Sequence, residues 1–115
     1  MLQPLWLKFQ TNEIAIISSE LILLEALVLP LRNANNDLII KYEQLLSSEM
    51  SLVPINQSVV RQAAIIRANT NLKTPDAIHA ATGLIANCTQ FITNDKAFRN
   101  VSGLPVVVLS EVLAS

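Results

Sequence analysis

The sequence predicts an α/β domain in which a short parallel sheet is covered by helices. Three observations predict it. Short apolar runs at 14–17, 51–55, 90–93 and 105–109 lack the alternation of a half-solvated strand, so they read as strands buried on both faces. Helical patterns separate most of them, as parallel crossovers require. Thr74-Pro75-Asp76 marks a helix start between the second and third runs. The 115 residues suit one domain with one core. No repeat, low-complexity tract or linker divides residues 1–115.

The elements follow in order. Residues 2–12 form a short helix by their apolar stripe of Leu2, Leu5, Trp6 and Phe9. Residues 14–17 are a β-branched strand. Ser18 or Ser19 then caps a helix with Glu20 in its first turn, running to about Leu29, where Pro30 disturbs it. Residues 33–36 are a polar break, and 37–48 a second helix. A strand at 51–55 leads to a helix that starts at Asn56 or Ser58 and carries Val59, Ala63 and Ile66 at helical spacing. After a polar connection at 69–73, Thr74 supplies a hydroxyl cap, Pro75 the first helical position and Asp76 an acid in the first turn. Ala77, Ala81, Leu84 and Cys88 form the stripe of that helix. The strand at 90–93 ends in an Asn94-Asp95 turn, and a short helix covers 96–100. Gly103 turns the chain into the last strand, and Ser110 caps a final helical turn.

Bulk properties narrow the function. Hydrophobic residues make up 51% and charged residues 15%, which excludes a disordered chain. Net charge is −1 and the pI is near 5.7, so no broad basic surface holds nucleic acid by charge alone. Cys88 is the single cysteine, which excludes an internal disulfide and fits a reducing cytoplasm. The N-terminus lacks the basic and apolar regions of a secretory signal. The longest apolar stretch, 21–31, is interrupted by Glu25 and is too short for a bilayer, so it reads as a buried helix of a protein with no membrane partner.

Three acids are candidates for chemistry. Glu25 is the only polar residue in 21–31. It either reaches a helix edge or Arg32, or it faces a site where a cation offsets its charge, and the absence of a polar helix face favours the site. Asp76 is favourable at a helix start for electrostatic reasons alone. His79 lies three residues on, on the same side, and reads as exposed or as reaching a phosphate or the Asp76 carboxylate. Asp95 leaves a strand at its carboxyl end, where open α/β sheets bind ligands, and it is equally a helix cap. Thr93 and Asn94 add oxygen and amide groups there. Spacing leaves open whether Asp76 and Asp95 meet or lie at opposite ends of the sheet. Hard oxygen ligands suit Mg2+ or Mn2+. There is no Cys/His cluster for zinc, no P-loop, no GxGxxG and no evident Ser/His/Asp triad.

These residues resemble a known family. Ser19-Glu20-Leu21-Ile22-Leu23-Leu24-Glu25, Thr74-Pro75-Asp76-Ala77-Ile78-His79-Ala80-Ala81 and Phe91-Ile92-Thr93-Asn94-Asp95-Lys96-Ala97-Phe98 are similar to PIN-domain motifs, with matching spacing over nearly the whole chain. The resemblance implies a three-layer α/β/α fold and a Mg2+- or Mn2+-dependent endoribonuclease, often a VapC-like toxin with an antitoxin partner. It implies that Glu25, Asp76 and Asp95 are catalytic metal ligands and that Asp76 and Asp95 converge. Thr93 and Asn94 would shape the RNA site, and Lys73, Lys96 and Arg99 would meet phosphates.

The chain departs from the family in one respect. PIN domains open with a central strand carrying an Asp-Thr-Asn-like motif and a first catalytic aspartate, and this chain has none. The resemblance therefore implies an N-terminally truncated domain, an inactive copy, or a gap filled by a partner or by closure of the sheet. It leaves two strand edges unpaired, beside the strands at 14–17 and 90–93. Two functions are expected: an RNA-cleaving enzyme lacking one acid, or an inactive module that dimerises or binds an antitoxin-like partner through its apolar N-terminal stripe.

Overall fold

A computed structural model describes residues 15–114. The helix expected at 2–12, its stripe of Leu2, Leu5, Trp6 and Phe9, and Ile14 lie outside the described residues. The predicted α/β class is borne out. Strand β1 (Ile17–Ser19) is followed by α1 (Leu21–Arg32), α2 (Asn36–Gln44), a π-helical turn (Leu45–Glu49) and β2 (Ser51–Val53). Then come α3 (Gln57–Asn69), α4 (Thr74–Ile85), β3 (Phe91–Thr93), a 3-10 turn (Lys96–Asn100), β4 (Val106–Val108) and α5 (Leu109–Ala114). Among the described residues, no helix is long and apolar enough to cross a membrane.

All pairing is parallel, but the strands form two separate pairs. β1 pairs with β2, Ile17 opposite Ser51, and β3 pairs with β4, Phe91 opposite Val106. Each strand is three residues long. The first sits later than the apolar run at 14–17 because its length is set by contact with β2, which brings in Ser18 and Ser19. Beside β1 and β3 the sheet is open among the described residues.

Several starts and stops differ from the sequence expectation for local reasons. The Ser19 hydroxyl accepts from the Leu21 amide at 3.1 Å, while Glu20 occupies the cap position and its carboxylate reaches the Ile55 amide at 3.1 Å. Glu20 therefore ties β1 to the chain after β2 and is not a first-turn acid. α1 continues through Pro30 to Arg32, and the chain then reverses at Ala34 (φ 52°), with the Asn35 amide bonding the Pro30 carbonyl. Asn35 and Asn56 cap α2 and α3 by accepting from Leu38 and Val59. Thr74 makes no cap bond. It is already helical, and its hydroxyl accepts from Arg67 at 2.9 Å. Ser110 likewise lies inside α5, which begins at Leu109.

The core lies where α3 packs on α4 and on the segment after β3. Val59, Ala63 and Ile66 of α3 meet Ala77, Ala80 and Ala81 of α4, with Leu72, Phe98, Val101 and Leu104 closing the cluster. The alanines on α4 allow close approach, and Val59 is fully buried, a gain of roughly 1.5–3 kcal/mol over leaving it exposed. Gly83 continues that close approach, since a Cβ there would stand 3.0 Å from Phe91 and 3.3 Å from Leu104.

The other half of the molecule is thinly covered. α1 is not the buried helix expected from its composition. Leu24, Leu29 and Leu31 are each at least 60% exposed, and Pro30 is its one buried residue. Among the described residues, α1 packs chiefly against α2 and part of α4, so composition identified an apolar helix without showing its cover.

Candidate functional site

Glu25 lies on the exposed part of α1, and its carboxylate meets His79 of α4 at 2.6 Å. The partner is thus His79, not Arg32, and it offsets the Glu25 charge when protonated. The His79 side chain is only 18% exposed against 38% for Glu25, so the imidazole is the inner member of the pair. Sequence reasoning placed His79 on the Asp76 side of α4 but did not find Glu25 opposite it, because that contact joins residues 54 positions apart.

Asp76 stands in the first turn of α4, half-buried, one helical turn from His79. It makes no hydrogen bond or ion pair with the described residues. Asp95 lies beyond β3, and its carboxylate accepts from the Ala97 amide at 2.9 Å, capping the 3-10 turn. Its own amide donates to the Thr93 hydroxyl at 3.0 Å. Asp95 and Thr93 therefore form one local turn. Asn94 is exposed in that turn.

Two of the three cations expected to meet phosphate are engaged elsewhere. Arg99 bonds Glu111 of α5, and Lys96 lies 3.6 Å from the same carboxylate. The hydrogen bond from Arg99 is the main reason that the Glu111 carboxyl lies below its ordinary value. Lys73 is exposed at the start of α4.

The elements that bear or precede the three acids border one opening. A cleft of about 950 Å³ lies between β1 and β3, and His79 and Thr93 both line it. Glu25 is held at its margin through His79, and Asp95 follows two residues after Thr93. The acids themselves are not gathered. Among the described residues, no group of three His, Cys, Asp or Glu side chains is placed to hold a metal ion. Cys88 also lines the cleft, but burial pushes its thiol above the ordinary value and keeps it protonated at neutral pH.

The PIN domain family model matches residues 4–104. The chain belongs to the PIN domain family. No curated protein and no solved structure gives a significant match. PIN domains have a nuclease fold, are generally dependent on divalent metal and generally act on RNA. The described residues of this PIN domain do not fit such an ion as they stand. Glu25 is held by His79, Asp95 by its cap, and Asp76 belongs to no group of three possible ligands.

Proposed function

We propose that the chain is a PIN-type endoribonuclease domain of the toxin–antitoxin kind, cytoplasmic, whose acidic site is incomplete in the isolated chain. The observation that carries this reading is that α1 and α4, which bear Glu25 and Asp76, and β3, which Asp95 follows by two residues, all contribute to the lining of one cleft. Asp76 is the pivotal carboxylate, since it alone of the three has no partner among the described residues and sits at the positive end of a helix. Mg2+ or Mn2+ is the ion this reading calls for. The present placement of Glu25 and Asp95 is what withholds it. Thr93, Asn94, Lys96 and Arg99 would border the RNA once Glu111 releases the two cations. The test is cleavage of a labelled single-stranded RNA with Mg2+, with Mn2+ and with chelator. The isolated chain is expected to leave the RNA intact in all three. Metal-dependent cleavage that Asp76→Asn abolishes would show instead that the site is complete.

A second reading is favoured by the uncovered apolar surface of α1. Leu24, Val28, Leu29 and Leu31 are all exposed on one short helix, and exposed apolar patches mark interaction surfaces. On this reading the chain is an interaction module that pairs with a second copy or an antitoxin-like protein. Sedimentation across a range of concentrations separates the two, since a strict monomer with no partner leaves only the first.

A further inference from the structure

β3 and β4 run parallel and end in register, with Thr93 opposite Val108. The chain therefore leaves both strands at one end of the sheet. The third residue beyond each is charged, Lys96 after Thr93 and Glu111 after Val108. Open α/β sheets bind their ligands beyond this end of the strands. Residues three apart in a 3-10 turn lie one above the other, so Lys96 and Arg99 point the same way. Phe98, buried in the core, and the Asp95 cap hold that turn in place. Two cations are thus stacked on one side of a fixed turn.

Glu111 meets both at once. Its Oε1 accepts from Nη2 of Arg99 and its Oε2 lies 3.6 Å from Nζ of Lys96, so each carboxylate oxygen serves a different cation. Among the described residues, no other acid pairs with either. A phosphodiester has the same essentials, one negative charge shared by two free oxygens, and a guanidinium receives both anions in the same way. The contact is also open to exchange. The three side chains are 68%, 48% and 41% exposed for Lys96, Arg99 and Glu111, so the carboxylate can turn into water while α5 keeps its helix. Exposed ion pairs are weak, and an incoming anion can displace one. We infer that Lys96 and Arg99 form a two-oxygen anion site for a phosphodiester of single-stranded nucleic acid, and that Glu111 occupies it as an internal competitor until the nucleic acid displaces it. The inference rests on the nuclease reading for the class of its ligand, and it needs neither metal nor cleavage.

The probes are a labelled single-stranded RNA of about ten residues and DNA of the same sequence. Binding to the full chain is read by fluorescence anisotropy with chelator at roughly 0.1 M salt. Glu111→Gln should tighten Kd about three- to tenfold, as the loss of two competing ion pairs allows. It should also steepen the fall of log affinity with log salt by about 0.7, the value of one phosphate contact on a single strand. Arg99→Gln added to Glu111→Gln should abolish the gain. Glu43→Gln removes the same charge from the exposed surface of α2 and should leave Kd within about twofold. Three results would overturn the inference: no gain with either nucleic acid, an equal gain from Glu43→Gln, or a gain that survives Arg99→Gln. A gain with DNA and none with RNA would support the anion site while contradicting an RNA substrate, so the two failures are told apart. If Glu111→Gln disturbs the far-ultraviolet circular dichroism, the unaltered chain decides. Saturating nucleic acid should then raise the Glu111 carboxyl midpoint toward 4.5, and an unmoved midpoint would overturn the inference.

Discussion

His79 and Glu25, 54 positions apart in the sequence, join α4 to α1 through a 2.6 Å contact. A double-mutant cycle with Glu25→Ala and His79→Ala, followed by urea unfolding, should return a coupling of roughly 0.2–1 kcal/mol, the range for a partly exposed pair. Strict additivity would show that the contact contributes nothing. Asp95 allows its structural and chemical roles to be parted. Asp95→Ala removes the acceptor for the Ala97 amide and should cost about 0.5–2 kcal/mol, whereas Asp95→Asn keeps that bond and should be nearly neutral. Equal losses from both would contradict the capping role. Glu111 makes a prediction in pH. Its folded carboxyl lies below the ordinary 4.5, so the tie to Arg99 supports the fold above that pH and is lost as the pH falls through the lowered value. A carboxylate titration by NMR should place the Glu111 midpoint below 4.5, and Arg99→Gln should raise it. At this scale the sequence singled out Glu25, Asp76 and Asp95 as candidates but not what holds them, because the partners of Glu25, Lys96 and Arg99 come from other elements.

Helices and strands were more legible than their surroundings. Asn56 with Val59, Ala63 and Ile66 defined α3, and Pro75 with Asp76 defined the start of α4, because caps and periodicity are local properties. The Thr74 cap failed for a tertiary reason, since Arg67 takes the hydroxyl. The burial of α1 failed for another, since apolar composition says nothing about whether a covering layer is present. Gly83 shows a constraint of packing that local pattern does not reveal. Gly83→Ala should gain helix propensity yet lose stability by about 1–3 kcal/mol, because its Cβ meets Phe91 and Leu104 closely. Thermal unfolding checks the sign, and a raised midpoint would show that Phe91 yields without cost.

Across the whole molecule, one half carries a closed core of α3, α4 and the segment after β3. The other carries β1, β2 and α1, whose Leu24, Leu29 and Leu31 are exposed. A cleft opens between β1 and β3, and none of the three acids of the PIN-like motifs lines it. The motifs proposed Glu25, Asp76 and Asp95 as a set, and their side chains are not gathered among the described residues. Electron paramagnetic resonance of Mn2+ titrated with the full chain tests this most directly. The free-ion signal should persist undiminished as protein is added, since no three ligands are gathered among the described residues. Loss of that signal at one ion per chain, restored by Asp76→Asn, would contradict the account.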